Sequence, residues 1–234
     1  MQTNLKNEYF DLNNVEFYEE YFNLLINRVT HSSMSLEPDL GNPDDSTNAI
    51  RLRDSMRAFK ILIDYFFSCM PITEDLIIQV ANMINDGSLY ISNGYRKIDS
   101  AYIADTNIPI VSSKDIPVKM FELLTKYKTE WKNLDPFERE AKFHIEFIRI
   151  HPFEDGNGRT SRLLLNFNLL IQGKAPVIIT NDLLEYYRNC IQNYDIDNLK
   201  RIFEIQSYQE KNIIEQLYTD YLNKKRVIDT KKRY

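Results

Sequence analysis

The sequence is poor in glycine, cysteine and histidine, and each shortage narrows the choice of structure and chemistry. Only 6 of its 234 residues are glycine, so tight turns should be few and long helices common. Its 2 cysteines form no CxxC pair, which excludes a disulfide framework and a cysteine-rich metal site and favours a reduced, cytoplasmic setting. With 3 histidines and no HExxH motif, the chain lacks the pattern of a zinc hydrolase.

Long apolar runs and an excess of positive charge are missing as well. No stretch of about 18 uncharged apolar residues occurs, so we expect no membrane span. Residues 1–14 lack the basic-then-apolar order of a secretory signal. The net charge of −5 argues against binding nucleic acid through bulk charge, and we expect the basic tail over 223–234 to be a solvated end.

The apolar residues recur mostly at helical spacing and predict an all-α protein. Segment 94–111 differs, because its apolar residues are interrupted by Asp, Asn and Pro, and it predicts a short β-hairpin or extended flap. We find no repeat or linker, so we expect one domain over 1–234, with an N-terminal helical part at 1–45 and a core at 90–200. The predicted helices cover about 14–30, 49–70, 73–85, 116–133, a segment capped by Asp135 and ended by Pro152, 159–173, 181–193 and 195–222.

One segment carries the chemistry: it runs from His151 to Arg162 and has the sequence HPFEDGNGRTSR. A glycine-containing turn precedes a helix here, and the N–H groups of such a turn and of a helix N-terminus bind anions. Arg159 and Arg162 lie three residues apart and oppose the helix macrodipole, a cost that a bound polyphosphate would reverse. His151 can take a proton from an attacking hydroxyl, and Asp155 can hold Mg²⁺ against phosphate oxygens.

Each of these residues also has an ordinary structural explanation: a plain turn, a structural histidine, a helix cap and a solvated basic face. Their combination within twelve residues favours transfer of a group from a nucleotide. The GxxxxGK[ST] and GxGxxG motifs are absent, so ATP would not be held by a P-loop or a Rossmann turn. His144 lies within an apolar helix face and is expected to be a core residue.

The segment from His151 to Arg162 resembles the signature of the Fic family, H-x-F-x-[DE]-G-N-G-R-x-x-R, at every fixed position. Residues 94–103 resemble the family's flap, which positions the target side chain. The resemblance implies an all-α Fic-type helical bundle with a small β-hairpin flap. It also implies adenylylation, in which AMP moves from ATP to a Ser, Thr or Tyr hydroxyl of a protein and pyrophosphate is released. Self-modification and a homo-oligomer are compatible with it, whereas membrane and nucleic-acid partners are not expected.

The resemblance also implies roles for single residues. His151 would be the base, Asp155 would bind Mg²⁺, and Phe153 would pack the loop into the core. Gly158 differs from the Lys that phosphorylating relatives often have there, whereas the loop alone does not separate phosphocholine-transferring relatives. The nucleotide-binding residues would be Asp155, Gly156, Asn157, Gly158, Arg159, Thr160, Ser161, Arg162, Ile103, Tyr186, Tyr187 and Asn193.

A second motif, Ser33-Met-Ser-Leu-Glu37, resembles the family's inhibitory [ST]-x-x-x-E-[GN] pattern. In that pattern the glutamate pairs with the second signature arginine and displaces the γ-phosphate; here Pro38 stands where the family has Gly or Asn. Taken alone, such a glutamate after a helix is usually solvated. Two rivals to an inhibited adenylyltransferase remain open: an enzyme that removes AMP, with Glu37 positioning water, and a nucleotide-binding regulator without turnover, against which His151 argues.

Overall fold

The computed structural model describes residues 14–37, 46–86, 94–99, 103, 106 and 108–231. This part of the chain is all-helical, as predicted, with short 3₁₀ turns at Ser113–Asp115 and Asn181–Leu183 and no strand. No helix in it combines the length and the apolar character needed to cross a membrane. The α-helices are α1 (Val15–Ser35), α2 (Ser46–Phe67), α3 (Glu74–Ile84), α4 (Ile116–Lys128), α5 (Pro136–Ile150), α6 (Asn157–Ile171), α7 (Leu184–Asn193) and α8 (Ile196–Lys231).

Helix α6 lies at the centre of the fold. Almost every residue of it is buried, including its polar first turn, and a helix buried on all sides belongs in a core. Helices α1, α2, α3 and α5 pack against it, and α8 packs against α5. The second half of the signature, from Asn157 to Arg162, lies at the start of α6, so this packing holds it in a fixed position.

The junction between α5 and α6 follows from local signals. Asp135 caps α5 by accepting hydrogen bonds from the N–H groups of Phe137 and Glu138, at 3.0 and 3.2 Å, and Pro136 occupies the first turn. The Glu138 carboxylate pairs with Lys142 at 3.0 Å. At the other end of α5, His151 adopts a left-handed conformation with φ of 51° and turns the chain into the loop.

The segment 94–111 is irregular in all of its described residues, so the predicted hairpin is not observed in them. Its carbonyl groups are satisfied in another way: those of Ile98 and Val111 accept hydrogen bonds from the Arg96 guanidinium. Pro109 also removes one donor that a ladder would need. The tip of the predicted flap, including residues 100–102, lies outside the described residues, as do Pro38 and the rest of 38–45.

Candidate active site

The loop between α5 and α6 is held by its own side chains. Phe153 is fully buried, as predicted, and its backbone N–H donates to Asn157 Oδ1 at 2.9 Å. The Asn157 amide returns a hydrogen bond to the Phe153 carbonyl at 2.8 Å. Asn157, predicted to bind nucleotide, therefore uses its side chain inside the loop, which leaves only its backbone for a ligand.

Gly156 is required by both conformation and space. Its φ is 76°, and a Cβ atom there would lie 3.0 Å from Asn85 Oδ1 and 3.0 Å from Ile84 Cγ2. The Asn85 amide donates to the Asp155 carbonyl at 2.9 Å, so the end of α3 supports the turn. Nothing in the local sequence around Asn85 indicates this contact.

His151 is mostly buried at the start of the loop. Burial lowers the pKa of its imidazole to about 4, and Arg96 acts in the same direction, whereas the Ile148 carbonyl, Asp155 and Glu37 favour the proton. Its Nδ1 atom is buried and has no hydrogen-bond partner within the described residues. The ring is therefore neutral near pH 7, which is the form that a general base needs.

We expect the His151 ring to stay neutral from pH 8 down to about 5.5, where a pKa of about 4 leaves roughly 3% of rings protonated. At the ordinary pKa of about 6.5, roughly 90% would be protonated there. The folded pKa is lowered, so the stabilisation from this neutral ring is complete above about pH 6.5 and is lost as the pH falls toward 4. A titration of the histidine ring signals by NMR, with His151→Ala to identify the signal, tests this; a midpoint near 6.5 would contradict it.

Asp155 and Arg159 form one ion pair at the turn. The Asp155 carboxylate accepts one hydrogen bond from the backbone N–H of Gly156 at 2.6 Å and another from Arg159 Nη2 at 3.1 Å. Arg51 of α2 approaches the same carboxylate to 3.9 Å. Arg159 is buried and also reaches Asn85 Oδ1 at 3.5 Å, so it is anchored against α3.

Arg162 pairs with the segment that ends α1. Its Nε donates to the Ser33 hydroxyl at 2.7 Å, and its Nη2 donates to the Ser33 carbonyl at 2.9 Å and to the Glu37 carboxylate. Burial opposes the charge of Arg162, but Glu37 and Tyr187 together more than offset it and raise the pKa of the guanidinium. The pairing of Glu37 with Arg162 that the sequence motif predicted is thus present.

The Glu37 carboxylate lies over the glycine-containing turn. A Cβ atom on Gly158 would come within 3.3 Å of Glu37 Oε1 and 3.0 Å of Arg162 Nη1. Since Gly158 belongs to the first turn of α6, its N–H group is among those without an acceptor inside the helix. An anionic side chain therefore occupies the mouth of an anion-binding helix N-terminus.

The remaining predicted nucleotide contacts differ in their exposure. Thr160 and Ser161 are buried in α6, and the Ser161 hydroxyl donates to the Gly158 carbonyl at 2.9 Å. Ile103 is half-buried against a second apolar cluster, and Asn193 is exposed at the end of α7. Their contacts with a nucleotide stay predictions.

The two neighbouring tyrosines of α7 face different ways. Tyr186 is 68% exposed, whereas Tyr187 is buried and its hydroxyl lies 2.7 Å from His144 Nε2. His144 is a core residue, as predicted, and burial lowers its pKa to about 3. Tyr187, one of the predicted nucleotide-binding residues, is thus buried and interacts electrostatically with Arg162, and its contact with a nucleotide stays a prediction.

Part of the chain is similar in sequence to proteins of one family. Residues 71–169 match the sequence model of the Fic/DOC family. The protein adenylyltransferase Fic of Nematostella vectensis is 34% identical over 119 residues, which cover 50% of this chain and 27% of that protein. The protein adenylyltransferase fic-1 of Caenorhabditis elegans is 49% identical over 55 residues, 23% of this chain and 11% of that protein. The chain thus spans about a quarter or less of the length of these relatives.

The fold is also that of a known structure. A crystal structure of a Fic domain containing signalling protein from Bacteroides thetaiotaomicron superposes with a TM-score of 0.69. The superposition covers 87% of this chain and 88% of that chain at 21% sequence identity, so it shows a shared fold.

Proposed function

We propose that this chain, which contains a Fic/DOC domain over residues 71–169, is a protein adenylyltransferase held inactive by Glu37. The observation that carries the proposal is the junction of α5 and α6. It brings a neutral, buried histidine next to a helix N-terminus built to bind phosphates. The names of the relatives support the same activity.

In the proposed reaction, a target hydroxyl oxygen attacks the α-phosphorus of ATP. The bond between this phosphorus and the oxygen that bridges to the β-phosphate breaks, and pyrophosphate leaves. The hydroxyl proton passes to the imidazole of His151, which is neutral and so able to accept it. The flap over 94–103 would present the target side chain.

The phosphates would be bound by the first turn of α6. Its N–H groups, among them those of Asn157 and Gly158, have no acceptor inside the helix and point toward the loop. Arg159, anchored on α3, would support the phosphates from one side. Arg162 would bind the γ-phosphate once Glu37 has left it.

The donor set of this site fits Mg²⁺ bound through one carboxylate. Asp155 is 35% exposed and keeps free lone pairs beside its two hydrogen bonds. The described residues contain no group of three or more metal-ligating side chains, so phosphate oxygens and water would supply the other ligands, as Mg²⁺ commonly requires. When bound, the ion would neutralise charge on the phosphates.

Replacement of Asp155 by alanine should abolish the Mg²⁺ dependence and remove about 90% of the transfer activity, because a carboxylate between metal and phosphate has no neutral substitute. Transfer is measured at a series of Mg²⁺ concentrations. Glu154→Ala is the matched control, because the Glu154 side chain forms no hydrogen bond or ion pair with the described residues and its removal should leave the activity in place. A larger loss of activity in Glu154→Ala than in Asp155→Ala would show that Asp155 is not the metal ligand.

The test of the proposed function is labelling with ATP that carries the label on the α-phosphate. The wild type and the Glu37→Gly variant are incubated with Mg²⁺, alone and with cell lysate. Label should enter protein from α-labelled but not from γ-labelled ATP, which distinguishes AMP transfer from phosphorylation. An absence of protein labelling in both variants, with ATP bound, would favour a nucleotide-binding regulator.

Removal of AMP from a modified protein is the second candidate. The observation that favours it is that the Glu37 carboxylate is 25% exposed at the mouth of the site, where it could hold a water molecule. Under this alternative, the wild type would release label from an adenylylated protein, and Glu37→Gly would lose that release.

A further inference from the structure

Arg96 is a buried arginine outside the signature, and its side chain joins two separate segments. It is only 1% exposed. Its Nε donates to the His151 carbonyl at 2.8 Å, and its Nη1 donates to the Ile98 carbonyl at 2.9 Å. Its Nη2 donates to the Val111 carbonyl. A guanidinium presents donors in a fixed plane, so these acceptors are held in one arrangement.

The same arginine closes the neck of the flap, which we define as residues 96–99 and 111–113. Arg96 Nη1 lies 3.2 Å from Asp99 Oδ1, the one carboxylate with which it is paired within the described residues. Asp99 in turn accepts from the Ser113 N–H at 2.5 Å and from the Ser112 hydroxyl at 3.3 Å. The two ends of the flap are thus tied to each other through Arg96 and Asp99.

The other end of this network is the residue proposed as the base. His151 has a φ of 51°, which is unfavourable for a residue with a side chain and needs support from its surroundings. Arg96 supplies that support twice, because its guanidinium holds the His151 carbonyl and its backbone N–H donates to the Pro152 carbonyl at 2.9 Å. Asp99 itself forms no hydrogen bond or ion pair with the loop over 151–153, all of whose residues the structure describes.

We propose that Arg96 is a positioning residue that couples the neck of the flap to the backbone of His151, so that target side chain and base are held in one fixed relation. The role of this coupling in catalysis rests on the proposed function, whereas the hydrogen bonds that form it belong to the fold. Within the described part of the chain, Arg96 forms no hydrogen bond or ion pair with the first turn of α6 or with Arg159 and Arg162. Its loss should therefore impair transfer to protein without weakening the binding of ATP.

The test uses Asp99→Ala, since Asp99 is 62% exposed and its removal should be tolerated by the fold. The matched control is Asp86→Ala, which removes another exposed aspartate paired with an arginine, Arg57, at 3.0 Å. All variants are made in the full chain with Glu37→Gly. Amide hydrogen exchange at 94–99, 108–113 and 151–153 and the NMR signals of the His151 ring are measured, together with the Kd for ATP and labelling by α-labelled ATP.

We expect Asp99→Ala to speed exchange about tenfold at the neck and also at 151–153, which Asp99 does not touch, and to shift the His151 ring signals. Arg96→Lys, which cannot reach the same acceptors together, should do the same more strongly. Both should lower labelling about tenfold and keep the Kd for ATP within about twofold of the background. Asp86→Ala should change none of these.

Exchange that rises only at the neck in Asp99→Ala, with unchanged His151 signals, would overturn the coupling. A loss of ATP affinity in parallel with labelling would reduce Arg96 to a general support of the fold and would also overturn it. If exchange and ring signals change as expected but no variant, including Glu37→Gly alone, labels protein, the coupling stands and the proposed adenylyltransferase activity fails.

Discussion

Replacement of His151 by alanine should lower AMP transfer by about 100- to 10,000-fold, the usual contribution of a general base, and leave the affinity for ATP nearly unchanged. The structure separates the two roles. The His151 ring makes no hydrogen bond through Nδ1 within the described residues, and the donors proposed to bind phosphate belong to α6 and its arginines. A base acts in the transition state, so its removal affects the rate and not the binding.

Single-turnover labelling and calorimetric titration with ATP measure the two quantities on the same preparation. His31→Ala is the control, because His31 is exposed on α1 and belongs to no part of the proposed site. Transfer by His151→Ala within about tenfold of the wild type would remove His151 from the role of base. A loss of both transfer and ATP affinity would show instead that the left-handed backbone conformation at His151 is needed to form the phosphate-binding site.

The parts of the fold that sequence predicted correctly are those that short-range signals determine. The start of α5 follows from Asp135 and Pro136, and the helix ends at Ile150, two residues before Pro152, because proline cannot continue a helix. The turn at Gly156 follows from a glycine in a chain that has few. The contact of Glu37 with Arg162 was predicted from a motif resemblance, since 125 residues separate the two in sequence.

Other features depend on tertiary contacts that no local pattern reveals. Asn85 supports the Asp155 turn from the end of α3, 70 residues away. Arg96 satisfies carbonyl groups that a hairpin would have paired, which is why strand-like residues in 94–111 form no strand among those described. Tyr186 and Tyr187 are adjacent on one helix and about 100° apart around its axis, so only packing decides which of them is buried.

The Glu37→Gly variant should transfer AMP about ten- to a hundredfold faster than the wild type. Arg162 can hold either the Glu37 carboxylate or the γ-phosphate, and in the structure it holds the carboxylate. Hydrogen bonds to charged groups contribute about 1.5–3 kcal/mol, which corresponds to this range of fold-change; the 25% exposure of Glu37 favours its lower half. Initial rates of labelling at saturating ATP measure the effect.

Two further variants separate charge from position. Glu37→Gln keeps the shape of the side chain but removes the charge that competes with phosphate, so its activation should lie between those of the wild type and Glu37→Gly. Ser33→Ala should activate more weakly than Glu37→Gly. The lost Ser33 hydroxyl accepts one hydrogen bond from Arg162, through Nε at 2.7 Å. The Ser33 carbonyl and Glu37 would still hold the guanidinium.

The decisive comparison is the double variant Glu37→Gly with Arg162→Ala. If Glu37 inhibits by occupying the partner of the γ-phosphate, removing that partner must cancel the gain, and the double variant should be no more active than Arg162→Ala alone. Activation that survives without Arg162 would mean that Glu37 acts by blocking Gly158, which its carboxylate also covers. An unchanged or inactive Glu37→Gly single variant would contradict inhibition altogether. Combined with a loss of AMP release, that result would assign Glu37 to hydrolysis, because a carboxylate that positions water is needed for removal of AMP and not for its transfer.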